Sequence, residues 1–153
     1  YYLDFDISLN DDYLDTLEGK NLPVKHCIKD TAGWLLNKDV ADAIAQRTSM
    51  NNYGYSICNI KGVEKHTFGY EYINDDIPYD ADTITICGLC TDVCVISNAL
   101  VLRMYNKNKQ MYYVKDACAG VTPESHEAAC KVMESCQIYQ APRTYKKDGK
   151  WIA

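Results

Sequence analysis

The stretch Thr83–Val95, TITICGLCTDVCV, reads as a buried strand, a glycine turn and the opening of a helix. Thr83 to Cys87 is rich in β-branched residues, which suit a pleated, half-buried surface. Gly88 lets the chain turn sharply at the strand end. Thr91 and Asp92 are helix-capping types and stand just before Cys94. A thiol in the first turn of a helix meets backbone N–H groups and the positive end of the helix dipole. Both favour the thiolate, which is the nucleophilic form. In open α/β sheets, sites form at the carboxyl ends of strands, which is where this thiol falls.

Outward from this stretch, strands alternate with helices. Tyr1–Ile7, Tyr53–Ile60, Met111–Val114 and Ile138–Gln140 read as further strands. A helix is expected from Asn37, its cap, to about Arg47, with Val40, Ala43 and Ile44 on one face. A largely apolar helix is expected over Val93–Tyr105. The last helix is the best marked. Thr122 is its N-cap and Pro123 its first residue, and Ala128, Ala129, Val132, Met133 and Cys136 form its apolar face. Asn10–Gly33 and Lys61–Asp82 read as loops and Thr144–Ala153 as a polar tail. The expected class is α/β, a three-layer sandwich in which helices cover both faces of a parallel sheet.

The chain has 153 residues, which suits one domain with a real core. A net charge of −5, with scattered Lys and Arg, argues against a nucleic-acid face. No apolar run reaches the ~18 residues of a membrane span, and the opening YYLDFD has no basic leader. Of eight cysteines, Cys58, Cys87, Cys130 and Cys136 sit in apolar periodic segments, where Cys acts as a small hydrophobe. The expectation is free thiols in the cytoplasm rather than a disulfide scaffold.

Cys87, Cys90 and Cys94 also have the spacing C-x2-C-x3-C, but Cys87 lies within a strand and no second ligand pair follows closely. This disfavours a zinc or iron–sulfur site. Lys65, in GVEKHTFGY, follows a strand; near a cysteine it would hold the thiol as thiolate. His26, in LPVKHC, has a weaker claim as a lone histidine, His66 and His126 weaker still, and Asp116 reads as a cap or surface charge.

Taken in order, EGKNLPVKHCIKDTAGW, GVEKHTFGY, ICGLCTDVCV and VKDACAGVTPESHEAA resemble the cysteine-hydrolase branch of the isochorismatase-like superfamily, which includes nicotinamidases. The resemblance spans roughly Tyr13 to Ile138. It implies the isochorismatase-like hydrolase fold and a Cys–Lys–Asp hydrolase that releases ammonia from a small amide such as nicotinamide. Cys94 would be the nucleophile and Lys65 its activating partner. A cis peptide of the family maps to Leu89–Cys90, and the N–H groups of Cys90 and Cys94 would form the oxyanion hole. Removing one such donor typically costs about 3–4 kcal/mol. The thiolate attacks the amide, ammonia leaves, and water cleaves the thioester. Homo-oligomers are common in the family, and tyrosine-rich loops (Tyr53, Tyr55, Tyr70, Tyr72, Tyr79) would serve an interface or a substrate pocket.

The sequence departs from the family pattern in two places. The family opens with a strand ending in the third catalytic residue, an aspartate, followed by a helix. Twenty-five residues precede His26 here. Either that strand and helix are missing and YYLDFDIS is the second strand, or they are compressed and Asp4 is the aspartate. The colinear alternative is the favoured one. The family also binds a divalent metal such as zinc. His26 matches its loop histidine and Asp6 its aspartate, but Ser8 stands where another histidine is expected. The rival expectation is a non-catalytic member that binds a ligand or a partner subunit.

Overall fold

The computed structural model describes residues 2–7, 11–50, 60–142, 145–147 and 150–152, with backbone alone for residues 2–7, 11, 47–50, 60 and those beyond 142. The chain divides into two compact units, Tyr1–Thr67 and Phe68–Ala153.

The first unit holds β1 (Tyr2–Ile7), a 3-10 turn (Asp11–Asp15), α1 (Leu17–Asn21), α2 (Lys38–Met50) and β2 (Ile60–Lys65). β1 and β2 run parallel, from Tyr2 opposite Ile60 to Ile7 opposite Lys65. Parallel neighbours require a crossover, and α2 lies within it. Asn37 caps α2 as expected: its Oδ1 accepts from the Asp39 N–H at 2.9 Å. The expected apolar face is only partly buried, with Val40 42% exposed. Two expectations are corrected here. The Asn10–Gly33 loop contains the 3-10 turn and α1, whose first turn is capped by Thr16 through the Gly19 N–H at 3.1 Å. The loop expected from Lys61 onward opens instead with the strand Ile60–Lys65, while the strand expected at Tyr53–Ile60 falls on residues 53–59, Cys58 included, which lie outside the described residues. Lys61, Gly62 and Glu64 show no strand pattern. Their ladder depends on backbone groups matched by β1, which local side-chain periodicity does not report.

The second unit contains β3 (Thr83–Leu89), a π-type turn (Thr91–Val95), α3 (Ile96–Tyr105), β4 (Gln110–Ala119), α4 (Pro123–Ser135), β5 (Tyr139–Gln140), β6 (Tyr145–Lys147) and β7 (Lys150–Ile152). β3, β4 and β5 are neighbours in that order and all parallel, so the α/β class is as expected. The core of this unit is formed by Ile73, Ile84, Val95, Ala99, Leu102, Met111, Tyr113, Ala129, Cys130, Met133 and Ile138. The capping of α4 by Thr122 and Pro123 is as read, with Ser125 completing a reciprocal capping box.

β3 and β4 are longer than expected. Their register shifts between Ile86 and Gly88, after which Gly88 faces Cys118 and Leu89 faces Ala119. Gly88 has φ +129°, a conformation that glycine adopts readily. It therefore marks an irregularity inside the strand rather than a turn off its end. Cys87 is exposed, against the expectation of a buried hydrophobe, because strand alternation places it on the opposite face from Ile84. The expected polar tail contains an antiparallel hairpin, with Tyr145 opposite Ile152 and Lys147 opposite Lys150. Its sequence signal is the intervening Asp148-Gly149 pair. Among the described residues no disulfide forms, and no helix is long and apolar enough to cross a membrane.

Candidate active site

The chain passes from β3 into α3 through a turn wider than an α-helix. The Leu89–Cys90 peptide is cis, at the position the resemblance implies. The Cys90 carbonyl accepts from the Val93 N–H at 3.1 Å and the Val95 N–H at 3.0 Å. The second of these is an i→i+5 bond, the mark of a π-turn, a feature frequent at functional sites. Thr91 and Val95 are buried beneath the turn, and Cys94, its fourth residue, is half-buried. The regular helix starts only at Ile96, three residues later than expected, because the wide turn precedes it.

One buried amide ties this turn to another segment of the second unit. Asn98, 6% exposed, donates from Nδ2 to the Cys94 carbonyl at 2.9 Å and to the Phe68 carbonyl at 3.2 Å. Its Oδ1 accepts from the Tyr70 N–H at 2.9 Å. The Ser97 hydroxyl donates to the Val93 carbonyl at 2.6 Å.

Thr91 and Asp92 do not cap their own helix as expected; they reach the start of α4. Both Asp92 carboxylate oxygens lie 3.1 Å from the Val121 nitrogen and accept its N–H. Asp92 also accepts from the Ser125 hydroxyl. Burial alone would raise the Asp92 carboxyl. The bonds from Ser125 and Val121 outweigh it and hold the group below its ordinary range. Thr91 Oγ1 lies 2.8 Å from His126 Nδ1, and His126 Nε2 lies 3.7 Å from Cys130 Sγ. Burial pushes the Cys130 thiol up. Tyr113, also raised chiefly by burial, donates to Glu134 at 2.8 Å. A methyl group on Gly120 would lie 2.9 Å from the His126 Cβ, so only glycine lets the chain pass this close. Asn98 and the Thr91–His126 pair escape sequence reading because their partners lie far away along the chain. The hint for Asn98 was a polar residue inside an apolar helix.

The remaining candidates belong to the first unit. Lys65 is the last residue of β2 rather than a loop residue beyond a strand. It is 3% exposed, and its ammonium donates to the Thr67 carbonyl at 3.0 Å. Lys65 and Cys94 thus each stand at or just past the carboxyl end of a parallel strand. Asp4 lies mid-strand in β1 opposite Gly62, and Asp6 lies opposite Glu64. The structure brings Asp4, Asp6 and Lys65 into one strand pair, and Cys90 and Cys94 into one turn.

His26 is held by Tyr13. Its ring meets the Tyr13 ring edge-on at 5.3 Å. Nδ1, 2.7 Å from the Val24 carbonyl, donates to it, which leaves the lone pair on Nε2. The Tyr13 hydroxyl bonds the Leu22 carbonyl and the Val24 carbonyl, the latter at 2.6 Å. A histidine that donates from one nitrogen to a carbonyl is oriented as metal-binding histidines are. One such imidazole does not make a metal centre. Among the described residues no three His, Cys, Asp or Glu side chains converge to hold an ion, while Ser8 and the Asp6 side chain lie outside them.

A parallel α/β domain with a cysteine in the turn beyond the carboxyl end of a strand places that thiol where open α/β sheets form their sites. An isochorismatase-domain family model matches residues 7–142, and the chain belongs to that family of hydrolases. A search of curated proteins finds no match. Among solved structures, the nicotinamidase PncA from Bacillus subtilis superposes with a TM-score of 0.67 at 23% identity, over 93% of this chain and 75% of that one. The pyrazinamidase of Pyrococcus horikoshii, in complex with zinc, gives 0.61 at 18% identity, over 91% and 73%. The nicotinamidase SaPncA from Staphylococcus aureus gives 0.60 at 16%, over 93% and 98%. These likenesses establish the shared fold.

Proposed function

We propose that this protein is a cysteine-dependent amidohydrolase that releases ammonia from a small amide, with nicotinamide the first substrate to test. The observation that carries this reading is the placement of Cys94. It lies in a π-turn past the carboxyl end of a parallel strand, fastened on several sides, in a chain that belongs to a hydrolase family. The Cys94 sulfur attacks the amide carbonyl and forms a C–S bond. The N–H groups of Cys90 and Cys94 stabilise the oxyanion. The C–N bond breaks, and the leaving nitrogen takes the proton released by the thiol and departs as ammonia. Water then cleaves the thioester, giving the carboxylic acid and restoring the thiol. Lys65, buried at the end of β2, is the residue assigned to assist proton movement, and Asp4 would serve as the general base in the alternative in which the family's opening strand is compressed into β1.

His26 and Asp6 are the residues that would hold a divalent ion such as zinc, a reading supported by the zinc-bearing pyrazinamidase. When bound, such an ion orients a polar group of the substrate; the steps above use none of its chemistry. The reading expects a single domain, working in the cytoplasm as a homo-oligomer.

The test is ammonia release from a panel of small amides, with and without added zinc or manganese. Cys94→Ala should abolish turnover while the circular dichroism spectrum is unchanged. Undiminished turnover in that variant would sink the proposal. No ammonia from the wild type, with Cys94 still alkylated by iodoacetamide ahead of the other thiols, would instead favour a ligand-binding family member.

A further inference from the structure

Asn98 is an uneconomical choice for its position. It is the third residue of α3, beside the buried Ala99 and Leu102. Asparagine is a weak helix former because it competes for backbone groups, and a buried amide without partners is costly. Here the amide has partners at both ends. Nδ2 donates to the Cys94 and Phe68 carbonyls, and Oδ1 accepts from the Tyr70 N–H. None of these is a side-chain partner. The amide therefore reads backbone position, on the turn that holds Cys94 and on the loop that begins at Phe68, the third residue after Lys65 in the chain. Gly69, between the two bonded loop residues, brings the loop near Ser97: a Cβ at Gly69 would lie 3.7 Å from the Ser97 Cβ. A bidentate amide restrains direction as well as distance.

We infer that Asn98 is a positioning residue for the Cys94 nucleophile, fixing the turn against the Phe68–Tyr70 loop. This rests on the assignment of Cys94 above. Holding the Cys94 carbonyl fixes the peptide plane on its C-terminal side, and with it the direction of the Cα–Cβ bond that aims the sulfur. Loss of the amide lets the turn relax. A misplacement of about 1 Å lowers reactivity by about 10²-fold even when substrate binding persists.

Asn98→Leu keeps the branched side-chain skeleton, with two methyl groups in place of the amide oxygen and nitrogen, and removes all three bonds. Asn98→Thr is the intermediate case, since a threonine hydroxyl in a helix bonds the carbonyl four residues back, here that of Cys94. In Asn98→Leu, kcat for ammonia release should fall about 10- to 100-fold with KM little changed. Asn98→Thr should recover part of the loss. Hydrogen exchange at the Tyr70 amide should be faster in both. A purely structural asparagine would lower the melting temperature and leave the kcat of the folded fraction intact. A folded Asn98→Leu protein with wild-type kcat, or with a change in KM alone, overturns the inference. If Asn98→Leu does not fold, Asn98→Thr is judged by the same two outcomes, a lowered kcat with KM held or an unchanged kcat. If the wild type releases no ammonia from any amide, the amidohydrolase reading fails by itself. The rate of Cys94 alkylation by iodoacetamide, followed by peptide mass, then decides the matter: slower alkylation in the variant supports positioning, and an equal rate overturns it.

Discussion

The Cys94 turn and the His26 loop both contain a residue marked by motif, yet they are held by different physics. The Cys94 turn is fastened by Asn98 from within its own helix and by Ser125, Val121 and His126 at the start of α4. Beneath it lie apolar side chains with little or no exposure, Val95 and Ala99, and the core of the same unit includes Met133. The His26 loop has flanking apolar residues that are exposed, Leu22, Val24 and Leu35. Its order comes from the Tyr13 hydroxyl, from local turns such as Thr31 donating to Ile28 at 2.6 Å, and from the Lys29–Glu64 pair at 2.8 Å. Exposed ion pairs contribute little, so the tyrosine is the main anchor. A position braced by core packing and several bonds tolerates the loss of one in stability and registers it in geometry. A position whose main anchor is one hydroxyl loosens when that hydroxyl goes.

The contrast breaks first at the core. Met133 is fully buried, and Met133→Ala should cost about 2–5 kcal/mol, read as a lowered urea midpoint. An unchanged midpoint would show that packing in the second unit does not depend on this side chain. Next is Tyr13→Phe, which keeps the ring and removes the donor to Leu22 and Val24. It should cost about 1–3 kcal/mol and speed tryptic cleavage after Lys25 and Lys29. Wild-type cleavage rates would mean that the loop has another anchor. The smallest effect concerns Asp92. Its folded carboxyl lies below the ordinary range, so its stabilisation is present above the unfolded value of about 4. That stabilisation is lost as pH falls through the lower folded value. The gap in melting temperature between wild type and Asp92→Asn should hold from pH 7 down to about 4 and close below it. A gap that persists at the lowest pH would show that the charge is not what Val121 and Ser125 bind.

Much of this arrangement is legible along the chain. β3 announces itself by its β-branched run, and α4 by Thr122 and Pro123. The Cys94 motif carries its own strand and the turn that follows it within thirteen residues, Thr83–Val95, and the regular helix begins just beyond, at Ile96. Other parts are not legible, because their cause lies elsewhere in the sequence. Lys61–Lys65 reads as the opening of a loop because Lys61 and Glu64 give no alternation, while the ladder to β1 asks only for backbone groups. β4 reads as ending at Val114, where Lys115 and Asp116 follow, yet pairing with β3 resumes at Cys118 in a register shifted at the Gly88 irregularity. Thr91 and Asp92 read as caps for the nearest helix, since capping is the commonest local use of such residues. Their partners on α4 become visible only when the chain folds back.

By itself the sequence determined the class of fold and the stretch that presents Cys94, since each is written in contiguous residues whose propensities and spacing act locally, and its ordered motifs carry the resemblance to the hydrolase family. The tertiary structure decided what holds that stretch in place. Asn98, through Phe68 and Tyr70, and His126, through Thr91, act through hydrogen bonds to groups distant in the chain, and a bond between distant groups has no signature in the spacing of either partner.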